Sequence, residues 1–273
     1  MKTRIVAAVI FVPLIFIVLF FLPAYVLAGV VAVICAISAY ELLHAIGGKQ
    51  NMRIYVYAVI SSIIIPISTY FGLTFALFPA VFLVLMSLVF FEAIISFNTE
   101  RKITFAQVLT TLFAGALIPL MLSSLVGLKL LPNGHLLVLI PIISAFVTDG
   151  GAYFTGMAIG KKKAFPVISP KKTVEGCVGG LIAGTLGLVI FGLIVVLSTP
   201  IPVLFWALIV YGVFGSMFSQ LGDLSFSFIK REFEIKDYGK LIPGHGGMLD
   251  RFDSMVFVAP AIYLLVRLIP AIV

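Results

Sequence analysis

Between Ser227 and Asp253 the chain reads S-F-I-K-R-E-F-E-I-K-D-Y-G-K-L-I-P-G-H-G-G-M-L-D-R-F-D, the densest polar stretch in an otherwise apolar sequence. Asp223 stands one helical turn ahead of it, in L-G-D-L-S. Asp223, Ser227 and Lys230 recur at i, i+4 and i+7, along one side of a helix. Asp250 and Asp253 recur at i, i+3, so both carboxylates face one way from a second helix start. Between the two helices, Gly239, Pro243, Gly244, Gly246 and Gly247 leave no room for regular structure. Aspartates from two neighbouring helices can converge on a hard cation such as Mg2+, which takes one or two carboxylates plus water and substrate phosphate. Lysine, arginine and glycine N–H groups supply the complementary anion site. His245, set between glycines, suits either a phosphate contact or acid role, or simple stabilisation of the turn.

A second polar stretch lies upstream. V-T-D-G-G-A-Y-F-T-G-M-A-I-G-K-K-K puts Asp149 two to three turns inside an apolar segment, with Tyr153 at i+4 and Gly156 at i+7 on the same face. An aspartate at that depth needs a cation, a hydrogen-bond network or water, which makes it a candidate site residue. Gly156 and Gly160 form a small-xxx-small pair for close helix approach. The loop that follows, K-K-K-A-F-P-V-I-S-P-K-K-T-V-E-G, carries five lysines. Lys161 to Lys163 read as orienting charge, whereas proline and a helix start fix Lys171 and Lys172. Backbone N–H groups at that start, with Thr173, could hold an anion; the alternative is a plain helix cap by Ser169 or Thr173. Gly176, Gly180 and Gly184 then recur every fourth residue, a close-packing face.

The elements that must position these groups are membrane helices. The 273 residues are 62% hydrophobic and 11% charged, where soluble domains carry about 25% charged residues. Successive apolar runs of about 20 residues mean an all-α, polytopic membrane protein, and no alternating barrel strands appear. Nine segments are expected, at 4–22, 24–46, 54–72, 74–97, 104–128, 135–160, 174–198, 201–229 and 249–271. The first is read as a retained helix rather than a cleaved leader. Sixteen of the 18 Lys and Arg residues fall in alternate connections, and only Lys129 and Arg267 fall on the other side. The positive-inside rule then places the N-terminus in the cytoplasm and the C-terminus outside. The organisation expected is scaffold helices over 1–130 and site-bearing helices over 131–273.

Several classes drop out. The net charge of +7 is spread over short loops beside membrane helices, which points to lipid headgroups and orientation, not nucleic acid. Cys35 and Cys177 sit in apolar runs far apart and read as small buried residues. No zinc spacing, Walker loop or Rossmann glycine motif is present. Glu41 reads as an interfacial polar residue. Glu92, in F-F-E-A, needs a partner on a neighbouring helix or a path to the surface.

The stretch from Ser227 to Asp253 resembles the signature of the phosphatidate cytidylyltransferase, or CDP-diacylglycerol synthase, family. The matching positions are Ser227, Lys230, Arg231, Lys236, Asp237, Gly239, Pro243, His245, Gly246, Gly247, Asp250, Arg251 and Asp253. D-G-G-A-Y-F-T-G and S-P-K-K-T-V-E-G are similar to further stretches of that family, and A-Y-E-L at Ala39 to Leu42 matches in the N-terminal half. The resemblance implies transfer of a cytidylyl group from CTP to phosphatidic acid, with Mg2+ and room for a second cation. It implies metal binding by Asp223, Asp250, Asp253 and Asp149, and catalytic roles for Asp223, Asp250, His245, Lys230 and Arg231. Lys171, Lys172, Ser169, Thr173, Ser227, Gly246, Gly247 and Arg251 would hold substrate. The expected place is the bacterial inner membrane, with the site facing the cytoplasm; homodimerisation is left open. Rival readings are a CTP-dependent lipid kinase, which would release CDP instead of pyrophosphate, and a secondary transporter or channel, which would show inverted repeats and a midplane site.

Overall fold

The computed structural model describes residues 17, 19–46, 51–241 and 246–272. It is built of helices, with one two-stranded hairpin between two of them. Among the described residues seven helices are long and apolar enough to cross a membrane: Ala24–Ala45 (α1), Met52–Tyr70 (α2), Thr74–Ser96 (α3), Phe105–Lys129 (α4), Gly134–Ile159 (α5), Val174–Ser198 (α6) and Phe205–Glu232 (α7). Leu249–Leu268 (α8) is the ninth expected segment and is helical, with Asp250, Arg251, Asp253 and Arg267 along it. The first expected segment falls almost wholly outside the described residues. Large apolar side chains point outward, Phe75 at 93% exposure and Leu197 at 78% among them. Water would penalise such a surface and lipid would not, so the protein is a polytopic integral membrane protein.

The chain divides into two compact units. The first comprises Met1–Leu130 and Phe233–Phe252, the second Leu131–Glu232 and Asp253–Val273.

In the first unit α1, α2 and α4 pack together. Gly115 lets α4 lie against α2: a Cβ there would sit 2.9 Å from the Cα of Ala58. Just beyond it, Pro119 lacks the N–H that an α-helix needs, and the helix widens into a π-turn over Phe113–Leu117. Glu92 on α3 finds the partner its depth demands. Arg53 donates to it at 3.1 Å and the Tyr57 hydroxyl donates at 3.1 Å.

In the second unit α5, α6 and α7 are joined by glycine faces. Gly180 lies against the Thr148 carbonyl and Ala152, Gly176 against Gly156, and Gly212 against Thr185. The expected small-residue faces are therefore where helices touch. A buried hydroxyl pair, Thr148 donating to Ser216 at 2.8 Å, stitches α5 to α7. Gln220 donates from α7 to the Cys177 carbonyl on α6 at 3.1 Å. Cys35 and Cys177 are both free.

Candidate active site

The second unit gathers most of the chemistry. Asp149 on α5, Asp223 on α7 and Asp253 on α8 come close enough to feel one another's charge. Lys172 is ion-paired with Asp223 and also neighbours Asp149. Lys230 faces Asp253. Asp253 is 8% exposed, and its carboxylate accepts the Ser254 N–H at 2.7 Å. Its position follows from Gly222: a Cβ there would lie 2.8 Å from the Asp253 carbonyl, so α7 and α8 touch along their backbones. Three carboxyl groups thus meet two ammonium groups in one cluster.

Lys172 reaches this cluster by a route that the sequence reading did not foresee. The helix opens at Val174 as expected, but the residues ahead of it form a hairpin, β1 (Lys163–Phe165) paired antiparallel with β2 (Ser169–Thr173). On this strand Lys171 is exposed, whereas Lys172 is half-buried next to the buried Thr173. Of the two readings left open, the structure shows the cap: the Gly176 N–H donates to the Thr173 hydroxyl at 3.1 Å. Glu175, in the first turn of α6, accepts the Lys161 N–H at 3.1 Å and the Lys162 N–H at 3.3 Å. The helix start is thus occupied by the hairpin's own anchoring and is not open to an anion. Arg231, at the end of α7, donates to the Ile168 carbonyl at 3.2 Å and ties the hairpin turn to that helix. Ser169 and Ser227 are half-buried.

The signature loop lies in the first unit and is organised by two carboxylates. Asp250 Oδ2 accepts the N–H groups of Tyr238 and Gly247, each at 2.9 Å. Gly246 has φ +82°, where an L side chain is strained, and a Cβ there would meet Asp250 Oδ2 at 2.8 Å. Asp250 thus shapes the loop. Arg251 is exposed on the first turn of α8. His245 lies outside the described residues.

The second carboxylate is Glu41, which was read from sequence as an interfacial polar residue. It is instead 5% exposed and accepts the N–H groups of Met248 at 3.0 Å and Leu249 at 2.9 Å. The only sequence signal for it was the A-Y-E-L match.

Among the described residues no three His, Cys, Asp or Glu side chains converge as ligands of one metal ion. Asp149, Asp223 and Asp253 are charge neighbours, with Lys172 lodged at Asp223. In chemistry these oxygen-only donors suit a hard cation such as Mg2+ and not a thiolate or imidazole metal.

Fold and site together define a polytopic helical membrane protein with a mixed acidic and basic centre. The chain belongs to the cytidylyltransferase family, whose profile matches residues 2–269. A phosphatidate cytidylyltransferase of Bacillus subtilis (strain 168) is 50% identical over 121 residues, 44% of this chain and 44% of that protein. The protein of the same name from Staphylococcus saprophyticus is 46% identical over 128 residues, 47% of this chain and 48% of its own. That of Staphylococcus aureus (strain COL) is 43% identical over 128 residues, again 47% and 48%. The matches to these curated relatives thus span under half of their length.

Proposed function

We propose that the chain is a CTP:phosphatidate cytidylyltransferase, which makes CDP-diacylglycerol and pyrophosphate from CTP and phosphatidic acid for phospholipid biosynthesis. Membership of the cytidylyltransferase family and the names of the relatives support this reading. The observation that carries it is the meeting of Lys172 and Lys230 with Asp149, Asp223 and Asp253 in the second unit.

In this reading a phosphatidate oxygen attacks the α-phosphorus of CTP and the bond to the β-phosphate oxygen breaks, so pyrophosphate leaves. The attacking oxygen is already anionic at neutral pH, so no strong general base is required. The obstacle is repulsion between two polyanions, and the residues answer it with charge. Lys172 and Lys230 offer ammonium groups to phosphate oxygens. Asp149, Asp223 and Asp253 would hold Mg2+, which when bound neutralises phosphate charge and steadies the leaving group. Lys171 and Arg231, both exposed beside the hairpin, would guide the substrates' phosphates. Asp250, Arg251 and His245 belong to the same signature and, by the resemblance, serve the same reaction.

The nine-span topology, with a cytoplasmic N-terminus and a cytoplasm-facing site in a bacterial inner membrane, belongs to this proposal and is supported by the distribution of basic residues. The deciding experiment supplies purified protein with labelled CTP, phosphatidic acid and Mg2+ and identifies both products. CDP-diacylglycerol with pyrophosphate supports the reading. Release of CDP with a phosphorylated lipid would replace it with a kinase, and no turnover at all would leave it without support.

A further inference from the structure

The helix α8 begins in an unusual way. A helix start leaves N–H groups without partners, and a Ser, Thr, Asp or Asn side chain just before the helix normally accepts one. Here that place is held by Gly246 and Gly247, which have no side chain, and Met248. Three consecutive N–H groups are nevertheless satisfied. Gly247 donates to Asp250 three residues ahead, as in half of a capping box. Met248 and Leu249 donate to Glu41, one to each carboxylate oxygen, across more than 200 residues of sequence.

The glycines record the same arrangement. A Cβ on Gly247 would sit 2.5 Å from both Glu41 oxygens, and a Cβ on Gly239 would sit 2.7 Å from its Cδ. No φ constraint applies at Gly247, so it is glycine because the Glu41 carboxylate fills the space. Glu41 and Asp250 are close enough to repel one another. The positive end of the helix dipole and the three N–H donors offset that repulsion.

We propose that Glu41 is a positioning residue for the cytidylyl transfer: delivered from α1, its carboxylate replaces the capping side chain that Gly247 lacks and fixes the start of the helix carrying Asp250. This rests on the function proposed above. Glu41 touches no reacting atom in this scheme. It sets where the first turn of α8 begins, and so where Asp250 points.

The test uses full-length protein in detergent and four variants: Glu41→Ala, Glu41→Gln, Gly247→Ser and the double variant Glu41→Ala with Gly247→Ser. Two quantities are read, kcat and KM for CTP per folded molecule, and amide hydrogen exchange at Met248 and Leu249. Glu41→Ala is expected to lower kcat roughly 10–100-fold, the range for losing a hydrogen-bonded partner that orients a site group. KM for CTP should change by less than about two-fold, because binding is not what is lost. Exchange at both amides should speed up. Glu41→Gln, with one acceptor oxygen left, should fall between Glu41→Ala and the parent. Gly247→Ser alone should be impaired, because the new side chain meets Glu41. The double variant should recover exchange protection and kcat beyond the product of the single effects, because the serine then caps the helix from the vacated space. Unchanged exchange in Glu41→Ala, or a double variant no better than that product, overturns the proposal. If the parent protein makes no CDP-diacylglycerol, the functional reading fails, and the exchange data alone decide whether Glu41 holds the helix start.

Discussion

Lys172, on the strand β2, is ion-paired with Asp223, on the helix α7. The pair is partly buried, with side chains 22% and 29% exposed, so solvent screens it only in part. Its neighbour Lys171 sits on the outward side of the same strand, and Lys162 lies at the exposed base of the hairpin.

Lys172→Ala should therefore reduce kcat/KM on the order of 100-fold, as for other losses of one well-placed electrostatic contact. Lys162→Ala should change it by less than about two-fold, because exposed charges contribute little. Steady-state kinetics with CTP as the varied substrate checks this. Equal increases in KM for both variants would show that the lysines act as diffuse charge and that strand position is irrelevant.

The helix packing gives a stability prediction. A Cβ at Gly180 would lie 2.8 Å from the Thr148 carbonyl and 2.9 Å from the Ala152 Cβ, both on α5. Gly180→Val must push α5 and α6 apart, at about 1–3 kcal/mol for overpacking. Because Asp149 rides on α5, the variant should lose activity as well as melting temperature in detergent. Gly150→Ala is the control, since nothing lies within 4 Å of its Cβ position. A Gly180→Val protein that melts with the parent would show that the glycine face is not a tight contact.

The contrast between these glycines and Glu41 shows where sequence reading worked. Gly176, Gly180 and Gly184 follow the helical period, and so do Asp223 and Lys230, so one helix reveals its own face without knowledge of its partner. Lys172 reads as held beside a helix start, whereas the structure places it on a strand. The hairpin's strands are only three and five residues long, too short for alternation to register, and Pro170 lies within the second of them, just ahead of the helix start. Glu41 could be read only as an interfacial polar residue, without a partner. Its partners are backbone N–H groups 207 and 208 residues away, and backbone groups leave no mark in a sequence. Asp250 and Asp253 share the helix α8 as their spacing implied, yet Asp250 is engaged by the loop behind it while Asp253 faces Asp223 and Lys230.

Orientation can be checked by labelling. With Cys35 and Cys177 replaced, single cysteines at Lys162→Cys and Lys236→Cys should react with an impermeant thiol reagent only from the cytoplasmic side. Thr199→Cys should react only from outside. The warrant is the 16-to-2 division of basic residues between the two sets of connections. Labelling of positions 162 and 199 from one face would overturn the nine-span topology.

The last prediction separates the carboxylates by what each does. Asp223 and Asp253 sit within reach of each other's charge, and in the proposed function their charge would be the useful property. Asparagine keeps the size and hydrogen bonding of aspartate but removes the charge that would hold Mg2+. Asp223→Asn and Asp253→Asn should then be nearly as damaging as the corresponding alanine variants. Each should lower kcat by several orders of magnitude, as expected when a group stabilising phosphoryl charge is lost. Asp250 differs, because one oxygen accepts two backbone N–H groups and the carbonyl oxygen of asparagine can do the same. Asp250→Asn should thus retain clearly more activity than Asp250→Ala, which leaves both donors without a partner at about 1–3 kcal/mol apiece. Asp237 is exposed in the loop, and neither ion pair among the described residues involves it, so Asp237→Asn should be the mildest of the set. The measurement is kcat against Mg2+ concentration for all seven variants, with folded protein quantified by size-exclusion chromatography. If Asp250→Asn and Asp250→Ala are equally inactive and both shift the Mg2+ dependence, Asp250 is a metal ligand first and a loop anchor second. If Asp223→Asn keeps normal turnover and Mg2+ dependence, the cluster around Lys172 is not where the cation sits.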